Sequence, residues 1–137
     1  MRAEKPPVRR RAKPPRRGVR RLFVRLLLLG VGLGAFGAHG LKATLEAGHQ
    51  LENWKTAVFY QLAHAVALLA LANLPSPAST PVGLSWILGV CCFSGSLYWI
   101  ALGGPVKLLW PVTPIGGLLL LAGWAFLTLS AMRKTDA

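Results

Sequence analysis

The sequence predicts an all-α integral membrane protein, a bundle of four transmembrane helices behind a basic N-terminal arm. Three observations carry that prediction. Four apolar stretches, 22–41, 56–74, 83–102 and 108–132, each run about 19 to 25 residues, and a helix of about 20 apolar residues rising 1.5 Å per residue crosses a hydrocarbon core of about 30 Å. None shows period-2 alternation, which removes a transmembrane barrel and leaves the helix as the way to satisfy the backbone in lipid. With 137 residues, 53% of them hydrophobic, and a mean hydropathy of +0.48, the chain is committed to spans and short connections and has no room for a soluble catalytic domain.

The first element, residues 1–21, is a Pro/Arg-rich arm that cannot bury a core and is expected to be disordered or surface-associated. Eleven of the sixteen Lys and Arg precede Leu26, against one acid, Glu4, and beyond them the chain is almost neutral although its net charge is +12. Such a run beside a first span orients a membrane protein, because Lys- and Arg-rich flanks stay cytoplasmic. The same arm can lie on anionic headgroups, each basic residue adding about 1 kcal/mol near the surface. Nucleic acid is excluded as a partner, since no aromatics interleave the charges and Pro6, Pro7, Pro14 and Pro15 oppose a reading helix. Arg20-Arg21-Leu22-Phe23-Val24-Arg25 resembles a twin-arginine export motif, and Ala35-Phe36-Gly37 a weak cleavage site. The span continues to Leu41 and three more follow, so an uncleaved anchor is the simpler outcome.

Span one carries Arg25 one turn inside its start, where the guanidinium can extend back to the cytoplasmic headgroups. From Lys42 to Lys55 polar residues (Lys42, Glu46, His49, Gln50, Asn53) and Leu41, Leu45 and Leu51 divide between two faces, predicting a short interfacial helix with Trp54 at headgroup level. Residues 73–81 read as a Pro/Ser-rich loop and Gly103-Gly104-Pro105 as a tight break. Span four opens with Pro111, Pro114 and paired glycines, which predicts a kinked or delayed helix start. Residues 133–137, with Arg133 and Lys134, form the tail. Four spans from an inside N-terminus return the C-terminus to the cytoplasm.

Gly32-Leu33-Gly34-Ala35-Phe36-Gly37 is a literal GxGxxG, but a membrane span supplies neither the preceding strand nor the βαβ context of a dinucleotide site. Helix packing explains it: Gly30, Gly34 and Ala38 recur at i, i+4, and Gly116, Gly117 and Ala125 in span four are likewise small residues that let backbones approach. Cys91 and Cys92 are adjacent, diverge on a helix and match no metal spacing, so they read as packing residues. No metal or cofactor is implied. With the inferred topology, His39, Tyr60, Gln61, His64, Ser94, Ser96, Tyr98 and Thr113 all fall in the outer half of the bundle. An ionisable group within a span is a functional-site candidate. The alternative is a neutral histidine bonding between helices. Glu46 and Glu52 lie on a solvated face and no carboxylate sits in a span, which argues against an enzyme.

Gly34-Ala35-Phe36-Gly37-Ala38-His39-Gly40-Leu41, Ala57-Val58 and Tyr60-Gln61 with His64, Phe93-Ser94-Gly95-Ser96-Leu97-Tyr98, and Thr113-Pro114-Ile115-Gly116-Gly117 with Gly123-Trp124 appear in this order. Over residues 22–132 the chain thus resembles the small YgdD-type membrane proteins, a domain-of-unknown-function family. That resemblance implies a four-helix protein of the bacterial plasma membrane, with similar proteins in eukaryotes and no established activity. The long basic arm departs from that pattern. The expected role is therefore a structural or accessory membrane component, not an enzyme, with the lipid bilayer as partner and a homo-oligomer formed through Gly/Ala-rich faces. The alternative is an oligomeric transporter or channel for a small solute, ion or proton, using the outer polar cluster. An enzyme acting on lipid or quinone ranks third.

Overall fold

The computed structural model describes residues 17–73 and 79–135. Residues 1–16 of the basic arm, 74–78 of the expected loop and 136–137 lie outside the described residues. In chain order the helices are α1 (Arg17–Ala38), α2 (Lys42–Ala47), α3 (Leu51–Leu71), α4 (Ser79–Ala101), α5 (Val106–Leu109) and α6 (Val112–Thr135). Four of them, α1, α3, α4 and α6, are long and apolar enough to cross a membrane.

Helix α1 starts at Arg17, so residues 17–21 are helical and not part of an irregular arm. Pro15 is the last proline before this point, and arginine is a good helix former that carries the helix beyond its apolar stretch. The expected interfacial helix is cut in two. Only Lys42–Ala47 forms α2; the remainder joins the second span, which begins at Leu51 and not at Thr56. The cut is a Schellman turn, with the His49 amide donating to the Glu46 carbonyl (3.1 Å) and the Gln50 amide to the Leu45 carbonyl (2.8 Å). Its pivot, His49, is left-handed at φ 54°. Glycine is the usual residue there, and a side chain costs about 1–2 kcal/mol in this conformation, partly offset by glycine's greater unfolded freedom. His49→Gly is therefore expected to stabilise the protein by about 0.5–1 kcal/mol, read as a higher Tm in detergent, whereas His49→Val lowers it.

Helix α4 ends in the same way at Gly103, φ +88°, with its amide donating to the Ile100 carbonyl (3.0 Å) and that of Gly104 to the Trp99 carbonyl (2.9 Å). Pro105 then opens the single turn of α5, and α6 starts only at Val112, after Pro111 and with Pro114 in its first turn. Span four is thus a short helix followed by a long one.

The long helices pack as a row: α1 on α3, α3 on α4, α4 on α6. On α3 the buried residues Trp54, Ala57, Gln61, His64, Leu68 and Leu71 follow one another at intervals of three and four. That is the seam of left-handed helix packing. One core cluster joins Phe23, Leu68, Leu71, Val82, Trp86, Val90 and Leu120, and a second joins Leu45, Trp54 and Ala101 near the opposite end. Between α4 and α6 the contact is closest at Gly116, where a Cβ would stand 2.3 Å from the Phe93 backbone nitrogen. Helices α1 and α6, at the ends of the row, expose Leu28, Leu29 and Val31 and Ile115, Leu118, Leu121 and Leu129. In a bilayer such faces meet hydrocarbon.

Candidate functional site

Six of the eight polar side chains singled out in the sequence fall into three groups, each bridging different helices. The first ties α1, α3 and α4 together. Gln61, buried on the α3 seam, donates from Nε2 to the Leu26 carbonyl of α1 (3.0 Å) and accepts at Oε1 from the Tyr98 hydroxyl of α4 (3.0 Å). Two turns away Trp54 donates from Nε1 to the Leu33 carbonyl (2.9 Å) and meets Tyr98 edge-on at 4.8 Å. Trp54 is therefore buried between helices, not presented outward from the bundle. It occupies the first position of the three-and-four seam that also holds Ala57 and Gln61, a spacing that outweighs tryptophan's interfacial preference.

The second group centres on His64, buried where α3, α4 and α6 meet. Its Nδ1 lies 2.9 Å from the Tyr60 carbonyl, and its Nε2 lies 3.2 Å from the Trp124 indole nitrogen. A carbonyl can only accept and an indole N–H can only donate. The bonding pattern therefore assigns the neutral tautomer with its proton on Nδ1. Nδ1 then carries the proton and the Nε2 lone pair accepts from the Trp124 indole. Aromatic rings enclose it: Trp86 edge-on at 5.8 Å, Trp124 at 6.2 Å and Tyr60 stacked at 6.2 Å, with the two indoles 4.6 Å apart.

The third group is a hydroxyl pair, Ser96 and Thr113, 2.7 Å apart across α4 and α6; Ser96 also lies 3.0 Å from the Phe93 carbonyl. Ser94 is buried without a hydrogen-bond partner, as is the Trp86 indole nitrogen. His39 lies exposed beyond the end of α1 and joins none of these groups. Nor do the eight residues share one half of the helices. Counting along α3, His64 is thirteen residues from Leu51 and seven from Leu71, past the middle, because α3 starts and ends earlier than its apolar composition suggests. Among the described residues no three His, Cys, Asp or Glu side chains group as a metal site. Sequence reasoning gave Trp86 no role and left Trp124 unassigned: Trp124 lies 60 residues from His64, and no local spacing marks that pairing.

The family model described as "Protein of unknown function (DUF423)" matches residues 33–117, more than half of the chain. The chain belongs to the DUF423 family. Among relatives of this DUF423 chain, a UPF0382 membrane protein of Staphylococcus haemolyticus is 40% identical over 111 residues, covering 77% of this chain and 88% of the relative. One from Schizosaccharomyces pombe is 42% identical, covering 72% and 87%, and one from Haemophilus influenzae is 40% identical, covering 76% and 85%. No solved structure matches. The DUF423 match takes in Gln61, Tyr98, the Ser96–Thr113 pair and His64 but begins after Leu26 and stops before Trp124. No enzymatic name attaches to the family or to these relatives.

Proposed function

We propose that this DUF423 protein is a noncatalytic structural or accessory component of the bacterial plasma membrane, whose intramembrane polar residues act as ties between helices. The observation that carries this reading is His64, with both ring nitrogens engaged by Tyr60 and Trp124. Gln61 and the Ser96–Thr113 pair support it, since their polar atoms are likewise directed at neighbouring helices. Both termini lie in the cytoplasm: Arg20, Arg21 and Arg25 at the start of α1 and Arg133 near the end of α6 support that orientation. The basic arm lies on anionic headgroups; the small residues of α1 serve packing within the chain, Gly30 lying against Leu62 and Gly37 against Trp54 of α3. The family match supports the finer grouping with the YgdD-type proteins.

Two measurements test the reading. In proteoliposomes under an imposed potential, a pH-sensitive dye is expected to report no proton flux above that of empty vesicles. In a double-mutant cycle read by thermal unfolding, His64→Leu and Trp124→Phe each destabilise, with a coupling of about 0.6 kcal/mol, the average for such bonds within membranes. Proton flux abolished by His64→Leu in a folded protein overturns the proposal.

A further inference from the structure

On one side of the seam between α1 and α3 lies an apolar groove of about 310 Å³, with Gly34, Gly37 and Ala38 of α1 and Val58, Phe59 and Leu62 of α3 among its walls. Its volume is at the lower end of the range for small-ligand sites, about 300–1,000 Å³. From Lys55 to Leu62 it follows α3 for about 10 Å at 1.5 Å per residue, most of the depth of one leaflet of a hydrocarbon core about 30 Å thick. A single unbranched hydrocarbon chain suits apolar walls of this length.

The rim supplies the chemistry that selects the occupant. Lys55 lines the groove near the N-terminal end of α3, and its ammonium lies 2.8 Å from the Glu52 carboxylate. Both side chains are exposed, at 60% and 82%. A purely anionic headgroup placed on Lys55 would also face the Glu52 carboxylate. A headgroup carrying a phosphate and a primary ammonium matches both charges, phosphate to Lys55 and ammonium to Glu52. We infer that the α1–α3 groove is a phospholipid site that takes one acyl chain of a phosphatidylethanolamine, its zwitterionic headgroup bridging Lys55 and Glu52. The groove shares Trp54 with the Gln61 group and is separate from His64. Because the rim pair is exposed, altering it leaves the helix packing intact.

The test is native mass spectrometry of the full chain released from nanodiscs of equimolar phosphatidylethanolamine and phosphatidylglycerol. The wild type is expected to retain one phosphatidylethanolamine per chain in preference to phosphatidylglycerol. The double variant Lys55→Gln with Glu52→Gln is expected to lose that preference by about tenfold while unfolding at the same temperature, since it removes charge-assisted bonds and nothing buried. Ala38→Leu, at an exposed wall residue of the groove, is expected to expel the lipid even with the rim intact. Equal retention of the two lipids, retention unchanged in the rim variant, or a lipid-free dimer crosslinked through residue 59 overturns the inference; the last would make a second copy the occupant.

Discussion

Trp86→Ala is expected to destabilise the protein by about 3 kcal/mol or more, the largest single effect predicted. Trp86 is 1% exposed and belongs to the core cluster of Phe23, Leu68, Val82 and Leu120. Its ring lies 4.6 Å from that of Trp124 and 5.8 Å from that of His64. Lipid tails are as apolar as the protein interior, so the loss comes from dispersion contacts across a void that neighbouring helices cannot close. Trp86→Phe is expected to cost much less. It keeps one ring and removes an indole nitrogen that is buried without a partner, and relieving an unsatisfied buried donor returns about 1–3 kcal/mol. Thermal unfolding of the two variants in the same detergent separates the terms; a Phe variant as weak as the Ala variant would mean that this N–H is satisfied in the membrane.

Gly116→Ala is the second large effect, expected to cost about 2 kcal/mol. The added Cβ would meet the Phe93 backbone nitrogen at 2.3 Å and its Cα at 2.8 Å, and backbone, unlike a side-chain tip, cannot swing aside. Helices α4 and α6 would have to move apart along their whole seam, straining the Ser96–Thr113 pair and the Ser85 hydroxyl that donates to the Leu119 carbonyl (2.7 Å). The neighbouring residue is the control. At Gly117 a Cβ meets only ring carbons of Phe93 at 3.6 and 3.7 Å, ordinary contact distances. Gly117→Ala should therefore be neutral or slightly stabilising, because alanine gains up to about 1 kcal/mol over glycine within a helix. Equal Tm losses for the two variants would refute the close approach at Gly116.

How much of this was legible beforehand depends on the range of each interaction. Spans are set by local composition, so four membrane-crossing helices follow from the sequence alone, and the break at Gly103 follows from Gly-Gly-Pro chemistry. The start of α3 was missed because a left-handed histidine, not a glycine or proline, makes the turn at His49. The burial of Trp54 was missed because of its residue type, although its spacing from Ala57, Gln61 and Leu68 put it on the buried seam. The candidate site was less legible still. Which residue His64 meets depends on how α6 lies against α4, and nothing within a helix turn of His64 encodes that. Grouping polar residues by depth alone merged three sets of ties that join different helices.

The row of helices also has an order in time. Each long helix after the first packs on its predecessor in the chain, so as synthesis proceeds every new span finds a partner already in the bilayer, without waiting for a distant segment. The link from Trp124 back to His64 breaks that rule. Until α6 is made, the His64 Nε2 lacks its indole donor, and a chain cut short after α4 carries a bare imidazole nitrogen in lipid. Helix α6 thus closes a polar gap left open by α3, and its arrival removes the feature that would mark an unfinished bundle.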